Sequence, residues 1–155
     1  MVTFIFEFTP KRIGTSAKRQ FVDPSIASSL LELSEEKLLY DFKTFGYLFE
    51  SLVTRDLRIY IKNLDGHIFH FRDNLSGDEV NAILEFKGGE YAAIEIKLNN
   101  SALDKAKNSL LKFYENANKK PIFMAIIIAE CEIVYKDKET GIYITALKPK
   151  KSITL

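Results

Sequence analysis

Cysteine is almost missing, with Cys131 the single example in 155 residues. One thiol forms no internal disulfide and cannot supply a cysteine-based zinc cage, so a reducing cytoplasmic setting is expected. Glycine, at 7, and proline, at 4, are too scarce for a fibrous or low-complexity chain. An excess of charge of either sign is lacking too. Lys and Arg number 22 against 21 Asp and Glu, for a net charge of +1. That balance excludes a wholly basic histone-like protein and an acidic solvating tail, and leaves room for a local basic patch. The longest purely apolar run, Ile122 to Ala129, falls far short of the ~20 residues a helix needs to span a bilayer. The opening MVTFIFEF has no basic start and carries Glu7 in its apolar stretch, so no signal peptide is expected. Its alternation of Val2, Phe4, Phe6 and Phe8 predicts a short strand.

What is present suits one domain with a substantial core, since 46% of residues are hydrophobic and 12% aromatic. A basic, turn-rich stretch, Pro10 to Gln20, follows the first strand and contains Lys11, Arg12, Lys18 and Arg19. We divide the chain into this N-terminal strand and basic segment (1–20) and a single domain (21–155). In FVDPSIASSLLEL, Asp23 is a good N-cap and Pro24 suits the first helical position. Ser34 caps a second helix, with Glu35 and Glu36 in its first turn. Thr44 to about Asn63 has the length and spacing of a long, largely buried helix, ended by Asp65-Gly66. Strands follow at His67 to Arg72, Glu79 to Phe86 and Tyr91 to Leu98, with turns at Asn74 to Gly77 and Gly88-Gly89. In the second of these, Val80, Ala82, Leu84 and Phe86 are expected on one face, and Glu79, Asn81, Ile83 and Glu85 on the other. Ser101 to Asn118 is helical, Ile122 to Ala129 reads as a strand buried on both faces, and Glu132 to Leu147 as a hairpin around Lys138 to Gly141. Helices followed by α–β–β–β–α–β and a closing hairpin imply a mixed sheet flanked by helices.

Two places invite chemistry. Between Lys43 and Arg55 the only charge is Glu50, set among Phe45, Tyr47, Leu48, Phe49, Leu52 and Val53. A carboxylate there is costly unless paired or bound to a cation. The bland reading is a buried salt bridge with Arg55 or Lys97, which for Glu50 alone is favoured about two to one. Next, Glu95-Ile96-Lys97 places a carboxylate and an ammonium on one strand face, with Asn81 available from the neighbouring strand. An isolated E-x-K is most often a solvated sheet face. In this order within αβββαβ, a helix glutamate, a polar hairpin strand and E-x-K make a more specific pattern. Two or three converging carboxylates suffice for Mg²⁺, which activates water and stabilises charge on a phosphate, and a lysine beside it stabilises the anionic transition state.

The αβββαβ order with E-I-K resembles the PD-(D/E)XK nuclease superfamily. More closely, the stretches FVDPSIASSLL, FGYLFESLVTRDLRIY, HFRDNLSGDEVNAILEFKGGEYAAIEIKL and GIYITALK resemble the C-terminal domain of archaeal and bacterial AAA-type ATPases known as the domain of unknown function DUF4143. That resemblance runs from about Arg19 to Lys148. It implies an α/β, restriction-endonuclease-like core with extra N-terminal helices and a C-terminal hairpin. It also implies Glu50 as the helix acid, Glu95 as a metal ligand and Lys97 as the catalytic lysine, with Mg²⁺ as cofactor. Where the family has E-V-D, this chain has Glu79-Val80-Asn81, so the metal set becomes Glu50, Asn81 and Glu95, with Glu79 or Glu85 as imperfect substitutes. No G-x-x-x-x-G-K-[ST] is present, so no P-loop ATP site is expected in this chain, which corresponds to the later part of such an ATPase.

The function expected is an accessory domain related to these ATPases, associated with nucleic acid and cleaving it weakly or not at all. The alternatives are an active Mg²⁺-dependent endonuclease of the resolvase kind and a protein-interaction domain docking onto an ATPase partner. The partners expected are DNA and an ATPase domain in trans, with no membrane, and nothing in the sequence argues against self-association. Lys11, Arg12, Lys18 and Arg19, with Lys148, Lys150 and Lys151, are candidate phosphate contacts or simply solvated ends. His67 and His70, three apart on a strand, make a poor metal pair and read as surface or hairpin histidines. Cys131 reads as structural.

Overall fold

The computed structural model describes residues 2–5, 18–21, 23–73, 78–131 and 134–147. Strands β1 (Val2–Ile5) and β2 (Lys18–Phe21) pair antiparallel as a small separate sheet. Lys18 to Gln20 thus belong to a strand where a turn-rich stretch was expected. Lys11 and Arg12 lie outside the described residues, as do the expected turn at 74–77 and the lysines 148, 150 and 151.

Three helices follow, each started by a side chain that takes a free N–H. Asp23 accepts from Ser25 N at 2.8 Å to open α1 (Pro24–Leu30), and Ser34 accepts from Lys37 N at 3.2 Å to open α2 (Glu35–Tyr40). Asp41 closes α2 and opens α3 (Phe42–Lys62), accepting from Thr44 N at 3.0 Å and from the Thr44 hydroxyl at 2.6 Å. The long helix therefore begins two residues before the expected Thr44. It is also not buried all round. Phe49, Val53 and Ile61, spaced in fours, form the inward stripe, while Tyr47, Ile59 and Tyr60 are exposed.

A six-stranded mixed sheet makes the body, in the order β3-β4-β5-β6-β8-β7. Strands β3 (His67–Arg72), β4 (Glu79–Glu85) and β5 (Tyr91–Lys97) form the antiparallel meander. A short 3₁₀ turn, Asn100–Ala102, leads into α4 (Leu103–Asn116), which returns the chain to β6 (Phe123–Ile128), parallel to β5. The closing hairpin pairs β7 (Tyr135–Lys136) with β8 (Tyr143–Ala146). It is β8 that joins the sheet, parallel to β6, leaving β7 at the edge.

Each face of the sheet carries one long helix. Ala82, Leu84, Ala92, Ile94, Ile96, Ala125 and Ile127 pack on α3, and Val80, Ile83, Ala93, Met124, Ile126 and Ile128 pack on Ala106, Leu110 and Phe113 of α4. Each fully buried isoleucine or leucine stabilises this sandwich by ~1.5–3 kcal/mol. Val80 thus faces α4 and Ala82 faces α3, against the expectation that they share a face. The cause is a bulge: Phe69 pairs with Ile83 and Phe71 with Val80, so Asn81 and Ala82 both stand opposite His70. One extra residue reverses the alternation beyond it.

Helix α3 ends at a tight approach to the sheet. Asp65 takes a left-handed conformation, φ 54°, and Gly66 N donates to Ile61 O at 2.9 Å. A Cβ on Gly66 would fall on the Glu85 carbonyl oxygen and on the Ile61 side chain. Gly66→Ala is therefore expected to cost about 1–3 kcal/mol by forcing α3 away from β4, seen in thermal unfolding as a fall of several degrees. An unchanged Tm would mean that the contact yields freely.

Candidate active site cleft

The bulge has a consequence on the other edge of β4. Its ladder to β5 runs from Glu85–Tyr91 to Ala82–Ile94 and stops there, whereas β5 continues to pair with β6 through Lys97. Past Ile94 the sheet is split. Ile96 N–H points into the seam, where no β4 carbonyl meets it, and the Asn81 side chain supplies the acceptor: Oδ1 lies 2.9 Å from Ile96 N. An unmet buried donor would cost ~1–3 kcal/mol.

A cleft of about 810 Å³ opens along this seam, lined by Tyr47 and Glu50 from α3, by Arg72, Asp78, Glu79, Asn81, Glu95 and Lys97 from the strands and their ends, and by Lys105, Asn108, Ser109 and Lys112 from α4. Helix α3 covers the face opposite α4, yet Glu50 reaches the same cleft as Glu95 where the sheet is split. Within it Lys97 Nζ donates to Glu95 Oε2 at 2.6 Å and lies 3.5 Å from Asn81 Oδ1. The shared strand face read from E-x-K is what brings the first two together.

Glu95 is only 2% exposed. Burial raises its carboxyl above the ordinary value; the Lys97 ammonium and Ser109 pull it back, and Glu50 pushes it up again. Burial wins. Ser109 also ties α4 to β4, its hydroxyl donating to the Glu79 carbonyl at 2.9 Å.

The two partners expected for Glu50 in the bland reading, Lys97 and Arg55, both bond other carboxylates, Lys97 that of Glu95. Arg55 binds Asp56 at 2.9 Å and reaches Asp23, the α1 cap, at 3.5 Å. Glu79 lines the cleft and meets His70 Nε2 at 3.3 Å. His70, read as a surface residue, is 4% exposed at the bulge, with Nδ1 3.4 Å from Asn81 O. The burial followed from the bulge, which no residue type in Val80-Asn81-Ala82 announces. Glu85, expected to share a face with Glu79, sits at the far end of β4 beside Tyr91 and does not line the cleft. Lys18 and Arg19 lie on β2, opposite Ile5 and Phe4. The α4 residues are what sequence reasoning missed. Lys105, Asn108, Ser109 and Lys112 recur at helical spacing, beside the apolar stripe that was read, and that polar stripe was the signal available.

Among the described residues no group of three or more His, Cys, Asp and Glu side chains is arranged to hold a metal ion. Of the expected donors, the cleft brings together the Glu50 and Glu95 carboxylates and the Asn81 amide oxygen, which already accepts a backbone N–H, with Glu79 lining the same cleft. That donor set fits Mg²⁺ only in the way the ion is held with one or two carboxylates, waters and a substrate phosphate, and not as a closed protein cage.

A family model described as Domain of unknown function (DUF4143) matches residues 45–148. The chain belongs to that family. The DUF4143 match runs from α3 to the end of β8 and contains every residue that lines the cleft, whereas FVDPSIASSLL precedes it. No curated protein and no solved structure gives a significant match. No helix among the described residues is long and apolar enough to cross a membrane.

The raised carboxyl of Glu95 has a testable sign. Its folded value lies above 4.5, so between the unfolded and folded values only the folded state holds the proton. Stability contributed by Glu95 is present below that window and lost as pH rises through it. Glu95→Gln should therefore match or exceed wild type in Tm at about pH 8, and the gain should shrink as pH falls towards the ordinary carboxylate range. A variant less stable than wild type at the higher pH would mean that the attraction of Lys97 outweighs burial.

Proposed function

We propose that this DUF4143 chain is a restriction-endonuclease-like accessory domain that engages nucleic acid in the seam cleft and cleaves it weakly or not at all. The observation that carries the reading is the convergence of Glu50, Asn81, Glu95 and Lys97, from three separate elements, on one polar cleft at a break in the sheet. The resemblance to PD-(D/E)XK nucleases and to the C-terminal domain of AAA-type ATPases assigns these same positions to metal binding and catalysis. Glu50 and Glu95 would hold a Mg²⁺ ion, with Asn81 as a neutral third donor. The ion would polarise a phosphoryl oxygen and lower the pKa of an attacking water. Lys97 stands beside Glu95 to stabilise negative charge on the phosphate. The weakness follows from charge: Asn81 contributes no formal charge, Lys97 already occupies one oxygen of Glu95, and protonation of Glu95 competes with metal as pH falls.

A second reading, docking onto an ATPase partner, has support from the N-terminal helices. Leu30, Leu39, Tyr40 and Phe42 are each exposed on α1, α2 and the start of α3. Salt-sensitive retention on DNA separates the two, because a docking domain has no reason to show it. Substituting Lys11, Arg12, Lys18 and Arg19 together would report the share of the N-terminal basic segment in that retention.

Asn81→Asp tests the metal reading directly. Aspartate preserves the acceptor for Ile96 N–H and leaves a second oxygen for an ion. Expected are divalent-metal binding tightened by roughly tenfold, or ~1.4 kcal/mol, measured by calorimetric titration, and strand scission on a gel. Lys97→Met in that background should abolish scission and keep the metal. Equal metal affinity in wild type and Asn81→Asp would remove position 81 from the metal site and the weakened-nuclease reading with it.

A further inference from the structure

The cleft lining carries four carboxylates, from Glu50, Asp78, Glu79 and Glu95, and four cations, from Arg72, Lys97, Lys105 and Lys112. Lys97 holds Glu95 at 2.6 Å and Lys112 holds Asp78 at 3.6 Å, while Glu79 meets the His70 ring at 3.3 Å. Arg72 and Lys105 line the same cleft and make no ion pair among the described residues. Both are exposed at one cavity, where they can meet an anionic ligand, although the lining as a whole carries as many carboxylates as Lys and Arg side chains. Lys105, Asn108 and Lys112 stand at helical spacing along the α4 wall, which suits a chain of anions better than one isolated ion.

The other wall offers something different. Tyr47 lies one turn before Glu50 on α3, lines the cleft and is 61% exposed. Its ring is an open apolar surface beside charged groups, a position that core packing does not explain. Exposed aromatic rings next to a cationic track bind unpaired bases by stacking, whatever the base. The volume of about 810 Å³ lies within the roughly 300–1,000 Å³ typical of small-ligand sites. Such a cavity admits one or two nucleotides and not a length of duplex.

We infer that the cleft takes an unpaired nucleotide of a nucleic-acid strand, with its base stacked on Tyr47 and its phosphates held by Arg72 and Lys105. This rests on the nucleic-acid reading above and adds the substrate class: single strands, or a nucleotide extruded at a junction or gap. Stacking on Tyr47 supplies affinity without sequence preference, and the phosphate contacts set the salt dependence.

The test is fluorescence anisotropy with a labelled single strand and the matching blunt duplex, at low ionic strength and without divalent metal. Wild type should bind the single strand more tightly than the duplex. Tyr47→Phe should bind as wild type does, and Tyr47→Ala should lose about 5- to 150-fold on the single strand with no change on the duplex. Because Tyr47 is exposed, circular dichroism should show the fold of both variants intact. The double variant Arg72→Gln, Lys105→Gln should weaken binding for all sequences alike and lower the single-strand salt slope by about 1.4. Tyr47→Ala binding the single strand as wild type does would overturn the stacking. Equal wild-type affinity for single strand and duplex would overturn the inference and leave the nucleic-acid reading standing. No salt-sensitive binding to either would overturn both.

Discussion

The hydrogen bond from Ile96 N–H to the Asn81 side chain is the interaction on which the cleft depends. Strand β5 has two edges to satisfy, and beyond Ile94 only β6 remains as a backbone partner. Without a substitute acceptor, the cheapest arrangement would be for β4 to continue along β5 and close the seam. Asn81 removes that incentive by carrying its own acceptor 2.9 Å from the donor. The bulge opposite His70 places it there, since one extra residue in β4 shifts the strand out of step with β5. A local irregularity in one strand thus opens a cavity between two otherwise ordinary ladders.

Opening the seam sets the electrostatics as well. It lets α3 and α4, which cover opposite faces of the sheet, contribute to one site. It also leaves Glu95 in a place too dry for its charge. A lysine at 2.6 Å attracts a carboxylate strongly, yet the carboxyl still titrates above its usual value because desolvation is the larger effect. Lys97 keeps about a quarter of its side chain in water, which weakens its hold further. The result is a buried acid whose neutral form burial favours even beside its own lysine.

Sequence reading reached the elements whose causes are local. Asp23 and Ser34 were visible as caps because the cap side chain acts within three residues. The strand pairs around Gly88-Gly89 and the buried run of β6 followed from period-two alternation and from apolar continuity. The Glu95–Lys97 pair was legible for the same reason, since residues two apart on a regular strand share a face. What escaped depended on distant partners. Nothing in Val80-Asn81-Ala82 marks a bulge, which is defined only against β3, and so the face of Val80, the burial of His70 and the isolation of Glu85 were all misread. Asp41 was overlooked as a cap because it also ends α2, and the place of β8 beside β6 is a choice among edges that no local pattern records.

Asparagine at position 81 answers two demands that an aspartate would set against each other. Both side chains can accept from Ile96 N–H, so the backbone requirement does not distinguish them. Charge does. A third carboxylate beside Glu95 and Glu50, with Lys97 the nearest cation, would raise the burden on an acid that burial already disfavours. A divalent ion among the three would offset that burden. The neutral amide supplies the seam's acceptor without adding charge beside Glu95, and on the reading proposed above it would lower metal affinity in return. On the reading proposed above, the cavity, Lys97 and the lysines of α4 would serve recognition of a phosphodiester chain. What such a domain would give up is the ligand charge that metal-assisted hydrolysis demands most, and on that reading binding would outlast cleavage in the same cleft.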